Sequence, residues 1–222
     1  MKEGVAFQYH CQSNSLKPNI KEVYRYLGIS SCGKEEKETC IPKETENLVL
    51  DSILQMQPLL KPRAVYASFP LEIKPQNTES CSDENENVAY INFAGYSILS
   101  HHLYLNLKGC SKVVLFAATI GPQVDALIKG LSKLDSAKAA VFQATGSMFA
   151  EVFVSEVNSV IAKEFNDGKI HPRFSPGFGD VPLSVQSVFF SLLSCTQKIG
   201  LTLTDSFIMA PEKSVTAFIG VE

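Results

Sequence analysis

Residues 112–120 read KVVLFAATI, and this apolar run predicts the strand at the centre of the fold. A strand with one face in solvent alternates apolar and polar residues, whereas a strand buried on both faces is continuously apolar. Directly after it, Gly121-Pro122 places a proline where helices favour one, so we expect a helix through about Leu131. The middle of the chain is therefore predicted to be a buried strand followed by a helix.

Helical periodicity marks further segments on both sides of this strand. Asp135 is a suitable N-terminal cap for the longest of them, and Asn166-Asp167-Gly168 follows its end. Gly200 ends the last one. These predicted helices cover residues 19–28, 45–57, 135–165 and 182–200.

The remaining segments mostly alternate, which predicts strands. Residues 63–73 and 88–96 flank a polar stretch, 76–87, and this indicates an antiparallel ribbon with a solvated tip. Residues 97–110 return to a helical pattern. The last two alternating segments, LTLTDSFIM and SVTAFIGV, predict a C-terminal hairpin.

Strand pairs interleaved with helices favour an α+β fold, in which helices pack on a mixed, mainly antiparallel sheet. A doubly wound parallel sheet would need a regular β-α-β alternation, which this sequence lacks. We divide the chain into an N-terminal helical segment, residues 1–60, that packs on a main domain, residues 61–222.

Composition excludes several classes of protein. The 222 residues are 45% hydrophobic and carry a formal net charge of −3, without a cluster of Lys and Arg. We therefore expect neither a disordered chain nor a nucleic-acid partner. The N-terminus lacks the apolar core of a signal peptide, and no run approaches the roughly 18 apolar residues of a membrane span. We expect a soluble, cytoplasmic protein with no membrane partner.

Metal-binding and acid–base motifs are also missing from the sequence. The six cysteines have irregular spacings without a C-x-x-C pair, and none lies at zinc-site spacing from His101-His102. Neighbouring residues on a helix diverge by about 100°, so these two histidines cannot converge on one substrate atom. We predict no metal site and no catalytic acid or base.

The stretch RFSPGFGDVPL, residues 173–183, is the strongest candidate site. Pro176 and Gly177 preorganise a turn whose backbone groups can face a planar heterocycle. Arg173 can pair with a carboxylate, and Phe174 and Phe178 offer an apolar wall and a π face for a cation. S-adenosylmethionine, with its adenine, carboxylate and sulfonium, needs all of these groups together. The residues alone leave open an ordinary proline turn packed on the core.

Glu151 is a second candidate, in the middle of the long predicted helix. Its neighbours one turn away are Ser147 and Ser155, and these small side chains leave room for a ligand beside the carboxylate. The residue type alone equally favours an exposed glutamate on a polar helix face.

The ordered series of segments resembles the reactivation domain of cobalamin-dependent methionine synthase. That family carries an Arg-x-x-Pro-Gly-Tyr loop, then a helix, then a segment like Leu-Thr-Glu-Ser-Phe-x-Met-x-Pro. KVVLFAATIGPQVDALI and NIKEVYRYLG look like its short, free-standing members. The matching positions are Arg173, Pro176, Gly177, Phe178, Leu203, Thr204, Asp205, Ser206, Phe207, Met209 and Pro211.

This resemblance implies a repair function. The cobalamin of the synthase, carried here by a partner chain, occasionally oxidises from Co(I) to inactive Co(II). An electron from flavodoxin or a similar reductant, together with a methyl group from S-adenosylmethionine, restores methylcobalamin. The cobalt is the nucleophile, so this chain would be an accessory part of the methyltransferase. The partner would be the cobalamin-binding core of methionine synthase or another corrinoid protein.

The resemblance also implies roles for individual residues. Arg173 is expected to bind the methionyl carboxylate, and the backbone of Ser175, Pro176 and Gly177 to contact the adenine. Glu151 matches a helix glutamate of the family and is expected to bind the amino group or the ribose. Phe178 replaces the family's loop tyrosine, which keeps stacking but loses a hydroxyl contact.

Two alternatives from other classes remain. The first is a non-enzymatic docking module for a corrinoid protein that no longer binds the methyl donor, which the change at Phe178 favours. The second is an ordinary small-molecule methyltransferase. Such an enzyme would show a glycine-rich turn after the first strand of a parallel sheet, and the sequence shows neither.

Overall fold

The computed structural model describes residues 3–29, 41–76, 88–165 and 169–222. Within them the strands are β1 (Phe7–His10), β2 (Arg63–Pro70), β3 (Glu72–Pro75), β4 (Ala89–Phe93), β5 (Tyr96–Ser100), β6 (Lys112–Thr119), β7 (Thr202–Leu203), β8 (Met209–Ala210) and β9 (Ser214–Val221). The α-helices are α1 (Ile20–Tyr26), α2 (Lys43–Met56), α3 (His101–Leu107), α4 (Pro122–Leu131), α5 (Ser136–Glu164), α6 (Gln186–Leu193) and α7 (Cys195–Ile199). The predicted helix end at 166–168, and all but the first residue of the predicted polar stretch 76–87, lie outside the described residues.

Strand β6 occupies an inner position of a four-stranded antiparallel sheet with the order β1-β2-β6-β9. Residues 113–118 of this strand are at most 1% exposed. The prediction of a strand buried on both faces is therefore confirmed, and so is the α+β class.

Two hydrophobic cores lie on opposite faces of this sheet because side chains alternate along a strand. Val114 and Phe116 of β6 point into the core built with α1, α2, α4 and α5. Val113 and Leu115 point into the core built with α3, α6, α7 and a second antiparallel sheet, β3-β4-β5. A continuously apolar strand is what this position requires.

The helices around β6 begin close to where the sequence predicts. Helix α4 runs from Pro122 to Leu131, and α1 is followed by Gly28 with φ of +71°. The Asp135 carboxylate accepts a hydrogen bond from the Lys138 N–H at 2.9 Å, which caps the 29-residue helix α5 as predicted. Helix α2 begins at Lys43, two residues before its predicted start.

The predicted strand over 63–73 is two strands in different sheets. Strand β2 ends at Pro70 in the central sheet, and β3 pairs antiparallel with β4 in the second sheet. Proline has no N–H to donate to a ladder, so it favours a strand end at this point. The antiparallel ribbon is confirmed for β3 and β4.

The helix predicted over 97–110 is wrong in its first four residues. They belong to β5, which forms a hairpin with β4 through Ala94 and Gly95, both at positive φ (+47° and +81°). Two positive φ values in a two-residue loop match the twist of antiparallel strands. Helix α3 starts only at His101, where the Ser100 hydroxyl accepts from the Leu103 N–H at 2.9 Å.

The C-terminal hairpin between LTLTDSFIM and SVTAFIGV is also wrong. Strand β9 pairs along its whole length with β6, whereas β7 pairs with β8 inside the first segment. Residues 217–221 are buried, so β9 belongs in the central sheet, where both faces are covered.

The helix predicted over 182–200 is interrupted. A three-residue 3-10 turn, Leu183–Val185, precedes α6, and Ser194 with φ of +53° separates α6 from α7. A left-handed residue cannot continue a right-handed helix, so the chain changes direction there.

Candidate functional site

The loop 173–183 is fixed to the free edge of the central sheet. Phe174 and Phe218 of β9 exchange two backbone hydrogen bonds, at 3.0 and 2.8 Å. The turn itself is closed by the Gly177 N–H, which donates to the Val181 carbonyl at 2.9 Å, and Gly177 has φ of +88°. The loop is therefore preorganised in the way its sequence predicts.

A groove of about 580 Å³ lies between this loop, α5, α6 and β9. Five of the six residues predicted to form a site line it, and Gly177 shapes the turn beside it. The full lining is Glu151, Arg173, Phe174, Ser175, Pro176, Phe178, Leu183, Gln186, Met209, Ser214, Val215 and Thr216. The volume suits a ligand of a few hundred daltons.

Arg173 and Glu151 form an ion pair on the wall of the groove. Arg173 Nη2 donates to Glu151 Oε2 at 2.8 Å, and the two side chains are 28% and 37% exposed. Helix α5 positions the carboxylate and the loop positions the guanidinium, so the pair joins the two elements. The carboxylate of Glu151, predicted to face a ligand, thus has Arg173 as a partner in this structure.

Two polar atoms of the lining are buried without a hydrogen-bond partner: Arg173 Nη1, a donor, and Gln186 Oε1, an acceptor. An unpaired buried polar group costs about 1–3 kcal/mol, so such groups are rare in native structures. A ligand with complementary groups would relieve both costs at once.

Apolar side chains form the rest of the wall. Phe178, in the turn, is 67% exposed, and Leu183, Met209 and Val215 also line the groove. This combination of an exposed ring with a few polar groups is typical of small-molecule sites. None of the lining residues, all within the described ranges, is a Cys, His or Lys, so the groove can bind and orient a ligand but offers no strong nucleophile.

Sequence reasoning did not identify Gln186 as a site residue. It is one of the three buried residues of α6, with Phe189 and Leu193. The spacing i, i+3, i+7 puts all three on one helix face, so a glutamine within an apolar stripe was the available signal.

Asp180, just after the turn, fixes the loop to α3. Its carboxylate accepts from the Ser100 hydroxyl at 2.5 Å and from the His101 and His102 N–H groups at 2.6 and 3.2 Å. Partial burial alone would raise the pKa of Asp180, but these hydrogen bonds outweigh it and lower the pKa to about 2. The two histidines thus belong to a helix start that holds the loop.

A second groove of about 730 Å³ lies beside β1 and α7 and includes Lys61, Arg63 and Lys198. It shares no residue with the groove at the loop, and none of its described lining residues carries a buried, unpaired side-chain polar atom.

Among the described residues, no group of three or more His, Cys, Asp or Glu side chains is placed to hold a metal ion. Over the same parts of the chain, no helix combines the length and apolar character needed to cross a membrane.

Comparison with known proteins identifies a family by sequence and a related fold by structure. The model of the family described as vitamin B12 dependent methionine synthase, activation domain, matches residues 34–222. The crystal structure of the MetH reactivation domain bound to AdoHcy (S-adenosylhomocysteine) superposes with a TM-score of 0.65 at 18% identity. The match covers 98% of this chain and 78% of that chain, so the two share a fold. No curated protein matches by sequence.

Proposed function

Because this chain belongs to the family of the vitamin B12-dependent methionine synthase activation domain, we propose that it is a reactivation component for a separate cobalamin-binding core. In this proposal the groove at residues 173–183 binds S-adenosylmethionine for the reductive methylation of cob(II)alamin on the partner chain. Flavodoxin or a similar reductant supplies the electron, and the cytoplasm is the site of action.

The unpaired Nη1 of Arg173 is the observation that carries this proposal. The Nη2 of Arg173 donates to Glu151, whereas Nη1 is buried without a partner in the lining of the groove. A ligand carboxylate is the natural acceptor for such a donor. Glu151, held beside it, is suited to the ligand's ammonium group or to a ribose hydroxyl.

The loop also has groups suited to the adenine end of the ligand. The turn at Ser175, Pro176 and Gly177 presents backbone groups without an ordering cost, because the bridge to Phe218 already fixes the loop. The exposed ring of Phe178 offers a face on which adenine can stack. The groove thus has suitable groups for the adenine, the carboxylate and the ammonium.

Bound S-adenosylmethionine supplies the methyl group that the cobalt of the partner chain accepts. The residues of this chain bind and orient that donor and exclude water from part of it. This division of labour agrees with a groove that lacks a strong nucleophile.

Two measurements test the proposal. Calorimetric titration of S-adenosylmethionine and S-adenosylhomocysteine should show binding at a single site. Absorption spectra of a cobalamin-loaded synthase core, with this chain, S-adenosylmethionine and a reductant, should show the Co(II) band convert to methylcobalamin. If the band persists while the ligand binds, the reactivation function is wrong.

The alternative of a docking module without a methyl donor has one observation in its favour. Phe178, in place of the family's tyrosine, leaves an apolar side chain 67% exposed at the mouth of the groove, as expected for a protein contact. That function predicts capture of a corrinoid protein by a chain that gives no heat with either ligand.

A further inference from the structure

Gln186 combines burial with an unsatisfied hydrogen-bonding group in the lining of the groove. It is the first residue of α6 and is only 6% exposed, yet its Oε1 has no hydrogen-bond partner. A buried glutamine is expected to be paired, because leaving its acceptor empty costs free energy that an apolar side chain would not. The unpaired Oε1 therefore lowers the stability of the free protein, and a ligand that donates a hydrogen bond to it can offset this loss.

The surroundings of Gln186 select a planar heterocycle over the other parts of the proposed ligand. Leu183 lies three residues before Gln186, and a Cβ built on Gly177 would stand 3.1 Å from Leu183 Cδ1. Leu183 thus lies against the Pro-Gly turn, and Leu183, Gln186, Phe178 and Met209 all line the groove. Apolar and aromatic walls suit a base better than a charged amino acid or a ribose.

A side-chain amide has the right pattern for adenine in particular. It places an acceptor beside a donor, and adenine presents its exocyclic amino group beside a ring nitrogen that accepts. Glutamine recognises adenine in this bidentate way in other settings. The empty Oε1 is the atom that would accept from the amino group.

We infer that Gln186 determines specificity for the adenine base, with Oε1 accepting a hydrogen bond from the exocyclic amino group of the ligand. This inference rests on the proposed function and assigns the base-recognition role to a side chain in addition to the backbone of the loop. Gln186 is a binding residue here and takes no part in the methyl transfer.

The test compares two ligands on two proteins. S-adenosylhomocysteine and its analogue with hydrogen in place of the 6-amino group are titrated calorimetrically into the wild-type chain and Gln186→Met. The wild type should prefer the amino-bearing ligand by about tenfold, the usual effect of one lost hydrogen bond to a buried group. Gln186→Met should bind both ligands with nearly equal affinity.

Two controls separate recognition from folding. Methionine is close to glutamine in shape and has no unpaired acceptor, so the variant should melt at the same or a higher temperature. Arg173→Lys should weaken both ligands by similar factors and keep the preference for the amino group.

The outcomes distinguish this inference from the function on which it rests. If the wild type binds both ligands equally, or if Gln186→Met keeps the full preference, Gln186 does not read the base while ligand binding stands. If the wild type binds neither ligand, the proposed binding function fails, and this inference with it.

Discussion

The guanidinium of Arg173 and the carboxylate of Glu151 meet at 2.8 Å across the groove wall, although 22 residues separate them in the chain. The contact ties the middle of the longest helix to the entrance of the Pro-Gly loop. The pair uses Nη2 of the guanidinium, whereas Nη1 is buried without a hydrogen-bond partner. We therefore expect ligand binding and loop position to depend on the same side chain.

Arg173→Ala is expected to weaken binding of S-adenosylhomocysteine at least tenfold. A hydrogen bond to a charged group contributes about 1.5–3 kcal/mol, and the substitution also leaves Glu151 without its partner. Calorimetry measures the change. Arg25→Ala is a matched control. Arg25 forms a similar ion pair, in which its Nη2 lies 2.7 Å from Glu22 Oε2, and neither residue lines the groove. Equal losses in both variants would contradict a direct role for Arg173.

Phe178→Ala should separate binding from stability. The ring is 67% exposed, so its removal should change the free energy of unfolding by no more than about 0.5 kcal/mol. Stacking of a base on an aromatic side chain contributes about 1–3 kcal/mol, and affinity should fall accordingly. Leu134→Ala, at a side chain 86% exposed, is the control for surface truncation. Unchanged affinity in Phe178→Ala would exclude a stacking contact.

Gly177→Ala should impair both folding and binding. An alanine at φ of +88° is strained by about 1–2 kcal/mol, and its Cβ would lie 3.1 Å from Leu183 Cδ1 on the groove wall. Gly200→Ala is the control, because Gly200 has φ of +70° with no atom within 4 Å of the added Cβ. Chemical denaturation should show a loss of stability in both variants, and titration a loss of affinity only in Gly177→Ala.

Acid should release the loop through Asp180. Its folded-state pKa is about 2, below the ordinary 3.8, so the unfolded chain takes up the proton first as the pH falls. The stabilisation from Asp180 is therefore fully present above about pH 4 and is lost as the pH falls towards 2. Asp180→Asn should be less stable than the wild type at neutral pH, with the difference shrinking across that window. Denaturant titrations between pH 2 and 7 measure the difference in free energy of unfolding between the two proteins. A difference that does not change with pH would contradict the role given to Asp180.

Lys213 should give a pH dependence of the same sign as that of Asp180, but at alkaline pH. Burial lowers its pKa below the ordinary 10.5, although the nearby Asp125 and Glu212 partly offset this. The unfolded chain then holds more protons than the folded chain, so stability rises with pH up to about 10.5. Lys213→Met should remove this rise, whereas Lys133→Met, at an exposed lysine, should keep it. Free energies of unfolding measured from pH 7 to 10.5 test this expectation. An equal rise in Lys213→Met and in the wild type would contradict it.

The sequence by itself determined those features that depend on neighbours along the chain. The run at 112–120 predicted a strand covered on both faces, Pro122 and Asp135 fixed the starts of two helices, and Pro176-Gly177 predicted a rigid turn. Each of these follows from backbone preferences, capping or periodicity, which act over a few residues.

Only the tertiary structure decided which segments meet. Strand β9 pairs with β6 and not with the segment just before it, Arg173 meets Glu151 from another element, and Gln186 lies with its acceptor empty beside the loop. Such pairings depend on which faces are buried when elements distant in the sequence pack together. Local conformational preferences do not specify them. The loop was therefore recognisable from its residues, while the groove it lines required the fold.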